Sequence, residues 1–435
     1  MNKKILWIPA ALIFIGIILL ANKGCQHQED GNNFSAKVVK TDYTGQDNIK
    51  NFELFIDFSG SMRGFVDYSN IGDSYNANSN MKSTITAFLD NIEASYNIKT
   101  RNHCTGKTYD KDSFSKRLQD QSLFSGGTTL LHDMISEACT KANDSTVVAI
   151  VSDMVLSFGR QKLLSSNDRY YNKNHLDDLV SVIHATMVKN RQSGIHVILS
   201  QYYSDYNGNY YCNYTENLED GSAYKGKLMK HRPFYILLVG KEEALKGIFA
   251  NKCLRDAENV YSSFGINAND WANVPFEIKQ DKETEFWTVG SDPNRNGTFW
   301  TSANWDSYKT IFYIDCPNFK IPSFLNKKDL KANCLNGAVS NISYDDLHGR
   351  LSYILETKPF KELAKETEVE VNIISTNNWK SSATILDDVN KDLDTLESRT
   401  WGLSSLIQVF DDVYRNKASY EGDVVGKFSF ILVKK

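Results

Sequence analysis

The chain lacks a surplus of positive charge. Its 435 residues carry 49 Lys and Arg against 53 Asp and Glu, a formal −4. Without residues 1–24, which hold Lys3, Lys4 and Lys23 and no acid, the 46 remaining basic residues face the same 53 acids, or −7. Nucleic-acid binding draws on Lys and Arg to neutralise phosphate, so this balance excludes that class of partner. Also missing are H-E-x-x-H, G-x-S-x-G, a Walker loop and a dinucleotide fingerprint. The eight histidines, His27, His103, His132, His175, His184, His196, His231 and His348, form no close pair. With no nucleophile, base or nucleotide motif, the chain reads as a binding protein and not as an enzyme. No internal repeat or long low-complexity run appears, and no C-x-x-C. Besides Cys25 there are six widely spaced cysteines, at 104, 139, 212, 253, 316 and 334. An even number permits disulfides in an oxidising compartment but assigns no pairs, and Cys139, on an expected helix, reads as a plain buried thiol.

One long apolar run is present, at residues 5–21, behind Met-Asn-Lys-Lys and ahead of Asn22, Lys23, Gly24 and Cys25. A basic end followed by an apolar run is a signal or an anchor and not part of the fold. Its 17 residues reach the lower end of the roughly 17–25 that span a bilayer. The segment resembles a bacterial lipoprotein signal, in which a small residue precedes a lipidated Cys that becomes the mature N-terminus. Gly24-Cys25 fits that pattern, whereas Asn22 and Lys23 depart from it, so lipidation at Cys25 and an uncleaved membrane anchor both stand. Either one puts the body outside the cytoplasm, in the periplasm or at the cell surface, with residues 1–25 as signal or anchor and 26–50 as a polar tether.

From residue 51 strands and helices alternate, which predicts an α/β fold with a doubly wound, mainly parallel sheet over 51–252. "NFELFI", "STVVAIVSDM", "IHVILSQYY" and "RPFYILLVG" are buried strands. "NMKSTITAFLDNIEASY", "TLLHDMISEACTKA" and "HLDDLVSVIHATMVKNRQSG" have helical spacing, the last closed by Gly194. Between the last two strands lies a Tyr- and Asn-rich ribbon in which Asn207-Gly208 reads as a hairpin turn. Over 253–435 the pattern changes to short strands with few helices, which predicts a β-rich, sandwich-like α+β domain carrying the helix "LSSLIQVF" and a last strand "GKFSFILVKK". Trp287, Trp300 and Trp305 in that region suit hairpin packing better than a sugar site.

The stretch "FELFIDFSGSMRGF", residues 52–65, runs as a greasy strand and breaks into an acid, hydroxyls and glycine. In open α/β sheets, ligands bind beyond the carboxyl ends of the strands, where Asp57 falls. Ser59, Gly60 and Ser61 let the chain curl and aim several oxygens at one point, as hard divalent cations require. Read alone, D-x-S is also an ordinary hydrogen-bonded turn. Two more pieces favour the cation. "SGGTTLLHDMI" puts paired glycines and hydroxyls before a helix, and "VVAIVSDMV" ends a second strand on Asp153. All three loops of a doubly wound sheet open at one edge, so Asp57, Ser59, Ser61, a Thr and Asp153 can converge.

These three motifs resemble a von Willebrand factor type A domain with its metal-ion-dependent adhesion site. The family's D-x-S-x-S is met by Asp57, Ser59 and Ser61; its Thr, after the Gly-Gly pair, is matched by Thr129, with Thr128 one register away; its second acid is matched by Asp153. Met154 stands where the family commonly has Gly. The resemblance covers about residues 50–252 and implies a divalent cation, Mg²⁺ first and Mn²⁺ or Ca²⁺ as substitutes, with one position open to an Asp or Glu of a protein partner. The expectation is a membrane-tethered, extracytoplasmic binding protein of the bacterial cell envelope. The alternative is a metal-assisted hydrolase of phosphoester-like substrates. His132 follows Thr129 by three residues, on a helix's first turn where a solvated or capping His is usual.

Overall fold

The computed structural model describes residues 34–38, 49–66, 70–71, 74–75, 79–127, 130–156, 173–207, 229–251, 253–254, 256–265, 277–279, 287–289, 297–300, 311–317, 319, 321, 325–359, 362–375, 400, 402–415 and 422–434. The expected signal or anchor with Cys25, the Asn207-Gly208 turn beyond Asn207, Cys212 and Trp305 lie outside them. Among the described residues no helix is long and apolar enough to cross a membrane.

A seven-stranded sheet organises the first unit. Its strands are β1 (Asn51–Ile56), β2 (Arg101–Cys104), β3 (Lys107–Tyr109), β4 (Thr146–Ser152), β5 (Ile195–Tyr206), β6 (Met229–Lys241) and β7 (Asn259–Ser262), in the order β7-β5-β6-β4-β1-β2-β3. The helices are α1 (Met81–Tyr96), α2 (Lys111–Arg117), α3 (Leu131–Lys141), α4 (Lys173–Gln192), α5 (Glu242–Ala250) and α6 (Leu403–Tyr414). β4, β1 and β2 pair in parallel. β5 points the same way across an antiparallel β6, while β7 and β3 also pair antiparallel. The α/β expectation therefore holds with a mixed sheet, whose parallel strands are those flanking β1. The reason is connectivity: no crossover helix is needed between β5 and β6, which return on each other as a long ribbon from Ile195↔Lys241 to Tyr206↔Met229.

Each expected strand earns its place by burial. β4 is buried at every position, as a central strand covered on both sides must be. On β1, Phe52, Leu54 and Ile56 are buried while Glu53 and Phe55 are half-buried. Phe52 meets Phe88 of α1 edge-on at 5.7 Å. On the other face Phe55 stacks on His103 at 4.3 Å, and Glu53 pairs with His103 and Lys141 at 3.1 and 3.3 Å. α1 buries Ile85, Phe88, Leu89 and Ile92, the positions its spacing indicates. Gly194, at φ +70, follows α4.

Besides the short pair Asn70–Ile71 and Ser74–Tyr75, the chain has β8 (Glu277–Lys279), β9 (Trp287–Val289), β10 (Gly297–Trp300), β11 (Ile311–Cys316), β12 (Lys331–Leu335), β13 (Gly337–Asp345), β14 (Arg350–Thr357), β15 (Glu366–Ser375) and β16 (Asp423–Lys434). They form an antiparallel four-stranded sheet, β8-β11-β14-β13, and a six-stranded one in which the strand Phe34–Val38 lies between β10 and β16. The two share a second core, with Phe312 against Phe430 and Tyr353 against Phe428, each at 5.9 Å. The tryptophan stretch forms a hairpin with Trp287 opposite Trp300. The described cysteines, 104, 139, 253, 316 and 334, are free thiols. Burial pushes the Cys139 thiol up to about 12.

Three segments cross the expected boundaries. Phe34–Val38, read as tether, is a strand of the β-rich unit. β7, beyond residue 252, completes the first sheet beside β5. α6, assigned to the second domain, buries Leu403, Leu406, Ile407, Val409, Phe410 and Val413 in the first core. The helix has an apolar face whichever unit receives it, so its periodicity carried no address.

Arg415 binds β7 and α6 to β16. Its guanidinium lies 4.5 Å over the Tyr261 ring of β7, reaches the Ser262 carbonyl at 2.5 Å, and pairs with Asp411 of α6 and Asp423 of β16 at 3.6 and 3.3 Å. All three charged side chains are nearly or wholly buried. Removing one member of a buried ion cluster strands the others. Arg415→Ala is expected to cost about 3–5 kcal/mol in chemical denaturation, with part of the loss recovered in the double variant Arg415→Ala/Asp423→Asn.

Candidate functional site

β1 ends at Ile56 and delivers Asp57 to the carboxyl edge of the parallel strands. The Asp57 carboxylate is fixed at both oxygens: Oδ1 accepts from the Ser59 backbone N–H at 2.7 Å and Oδ2 from the Ser152 hydroxyl at 2.9 Å. The hydroxyls of Ser59 and Ser61 lie 2.8 Å apart. Ser61 in turn bonds the carboxylate of Asp153, one residue past the end of β4, whose Oδ1 also accepts from the Val155 N–H at 3.2 Å. Asp57, Ser59, Ser61 and Asp153 are thus joined in one cluster, all at least nine-tenths buried. Thr129, with its alternative Thr128, lies outside the described residues.

The glycine loop approaches from the side. Gly126 bridges to Ser59, and its N–H donates to the Phe58 carbonyl at 3.2 Å. A Cβ there would stand 2.7 Å from the same carbonyl oxygen, so only glycine permits this contact. The chain two residues before the candidate threonines is therefore pinned to the serine loop.

Sequence reading missed four residues that build the site. Ser152 braces Asp57 and, through the same hydroxyl, accepts from the Met154 N–H at 3.0 Å. Tyr206, at the end of β5, donates to the Ser61 carbonyl at 2.8 Å. Gly64 lets the Tyr206 ring in, since a Cβ would fall 2.4 Å from it. Arg232, wholly buried on β6, acts electrostatically on Asp153. Only Ser152 carried a local signal, a hydroxyl beside the strand-ending acid; Tyr206 and Arg232 reach the site through strand pairing.

Met154, where the family that the motifs resemble commonly has glycine, adopts φ +55 and is fully buried. A left-handed backbone costs a side-chain-bearing residue roughly 1–2 kcal/mol, which explains why glycine suits this turn. Burying the Met side chain contributes about 1.5–3 kcal/mol, enough to hold the strained conformation. His132 sits 3.5 Å from Asp133 on the first turn of α3.

The electrostatics of the cluster are lopsided. Burial first, and the neighbouring Asp57 carboxylate second, push Asp153 up to about 6, against the lowering pull of Arg232 and of the Ser61 and Val155 hydrogen bonds. Among the described residues no group of three or more His, Cys, Asp or Glu is arranged to hold a metal. The donors here are instead two carboxylates and neutral hydroxyls. That set suits hard oxygen-seeking cations and offers nothing to soft ones.

A carboxyl whose folded value is raised stabilises the fold below the unfolded value near 3.8 and loses that contribution as pH rises towards 6. In chelator, the Asp153 contribution, read as the difference between wild type and Asp153→Asn, should fall by on the order of 2–3 kcal/mol across that interval. Asp153→Asn should flatten the profile and unfold at higher denaturant than the wild type at pH 7; an unaltered profile would show that Asp153 is not the group responsible. No protein-family model, curated protein or solved structure matches this chain.

Proposed function

We propose that the chain is a membrane-tethered, extracytoplasmic binding protein whose α/β unit is of the von Willebrand factor type A kind. Asp57, Ser59, Ser61, Thr129 and Asp153 hold a divalent cation, Mg²⁺ first and Mn²⁺ or Ca²⁺ as substitutes, and the cation captures an Asp or Glu of a protein partner. One observation carries this reading: two buried carboxylates and two adjoining hydroxyls meet in one hydrogen-bonded cluster at the carboxyl ends of parallel strands. Burying two like charges together is costly, and a divalent cation removes the cost. The glycine loop held against Ser59 supports Thr129 as the remaining protein ligand.

The β-rich unit serves as a spacer. At one end of β16 Lys434 pairs with Phe34, the first described residue after the proposed anchor; at the other end Asp423 meets Arg415 beside the α/β unit. The 12 residues of β16 cover about 40 Å at strand rise, a distance that sets the site away from the membrane.

Calorimetric titration with Mg²⁺ and Mn²⁺ tests the site. Asp57→Ala should weaken binding about 100-fold or more and Ser61→Ala about tenfold, while both unfold cooperatively, since the core does not depend on the cation. Equal binding by Asp57→Ala and wild type would reduce the cluster to a hydrogen-bonded turn, and phosphoester turnover lost in that variant would point to a hydrolase. For the anchor, palmitate label that disappears in Cys25→Ala is the expected sign of lipidation; absence of label from a membrane-bound wild type would mean an uncleaved helix.

A further inference from the structure

The two acids proposed as ligands carry as much charge as a divalent cation, so the donor set alone leaves little attraction for a third carboxylate. Arg232 changes that balance. β6 and β4 pair as far as Tyr235↔Ser152, and β6 then continues past the end of β4 towards the site. Phe234 packs on Phe65 of the short turn Met62–Phe65 that follows Ser61, with ring centroids 5.7 Å apart. Strand alternation returns Arg232 to the face of Phe234, two residues nearer the edge. Across the ribbon Arg232 pairs with Ser204, and two residues on Tyr206 holds the Ser61 carbonyl. The guanidinium therefore lies in the wall of the cluster, and its side chain is fully buried. Its effect on Asp153 agrees with that placement.

We infer that Arg232 is a specificity-determining residue of this site: its buried positive charge weakens the hold on the cation and strengthens the bound cation's attraction for an anionic group, tuning the centre to capture carboxylates instead of merely storing metal. The inference rests on the cation-binding reading above. Removing the guanidinium takes one positive charge from this wall whatever else it binds, which favours a bound cation and disfavours a bound anion at a pH where Asp153 is ionised. Even at about 10 Å and an effective dielectric of about 20, a unit charge changes a monovalent equilibrium by roughly tenfold, and a divalent one by more.

The test uses the complete chain at pH 8 with Mn²⁺ as the cation and acetate as the carboxylate probe. Mn²⁺ affinity is measured by calorimetry, and acetate binding by the fall in water-proton relaxation as it displaces Mn²⁺-bound water. Arg232→Gln should bind Mn²⁺ at least about tenfold more tightly and acetate about tenfold more weakly than wild type. Arg232→Lys, which keeps the charge without the fork, should stay near wild type in both. Thermal melts establish that each variant is folded; if Arg232→Gln does not fold, the Lys variant and Arg232→Met at reduced temperature give the same comparison. Unchanged affinities, or Mn²⁺ and acetate binding weakened together, would overturn the inference while leaving the cation site standing. A wild type that binds no Mn²⁺ would overturn both.

Discussion

Two carboxylates forced into one buried edge are the constraint on which the rest of this site depends. Like charges in a poorly polarisable place repel strongly, and each must be separately anchored before they will stay. The chain provides those anchors unevenly. Asp57 receives a backbone N–H and the Ser152 hydroxyl, one on each oxygen. Asp153 receives a hydroxyl, one N–H and the field of Arg232, and it remains raised. The more strained partner is thus the acid at the end of β4, and whatever relieves it has the greatest leverage on the loops around it.

Those loops are kept from relaxing by contacts that no single one of them makes alone. Tyr206 reaches over Gly64 to the Ser61 carbonyl, and the N–H of Asn207 donates to the Gly64 carbonyl at 2.7 Å. Gly126 closes on Phe58 from the other side. Met154 accepts a left-handed backbone because its side chain is sealed in the core. Were the turn free to move, the two acids would separate; held from three sides, they cannot. Preorganisation of this sort raises the free energy of the empty cluster, and on the proposed reading a bound cation would return it.

Much of this was legible in the residues because it is local. An apolar run ending on an acid, followed by hydroxyls and glycine, marks a strand tip whatever lies around it, and Asp57, Ser59, Ser61 and Asp153 were placed on that ground. The helices and strands of the first unit were legible for the same reason, since Ile85, Phe88, Leu89 and Ile92 repeat at helical spacing. Pairing was not local. Nothing in "RPFYILLVG" says that it will slide between "IHVILSQYY" and "STVVAIVSDM", running against both, and with that unknown Arg232 and Tyr206 had no address. β12 and β13 are faint in the sequence because their residues are polar and half-exposed, which weakens the hydrophobic signal of a strand. The hairpin of β2 and β3 was too short to register.

The interleaving of the two units follows from the same distinction between local and distant information. A helix such as α6 needs an apolar partner, and α4 together with β7 offers one. A last strand needs an edge, and β15 supplies that in the other unit. Between the helix and the strand the chain must pass from one core to the other, and Arg415 stands at that passage with an acid from each side. A flexible linker would let the α/β unit swing on its support. A buried cation shared by α6 and β16 instead ties the orientation of the sheet edge to that of the β-rich unit. The opposite end of α6 lies close to the site's own strand end: a Cβ on Gly402, the residue before α6, would lie 3.0 Å from Leu156, three residues beyond Asp153. Packed contacts thus run along α6 from the passage between the two cores to the loop that follows Asp153, and a close-packed interior of this kind yields little.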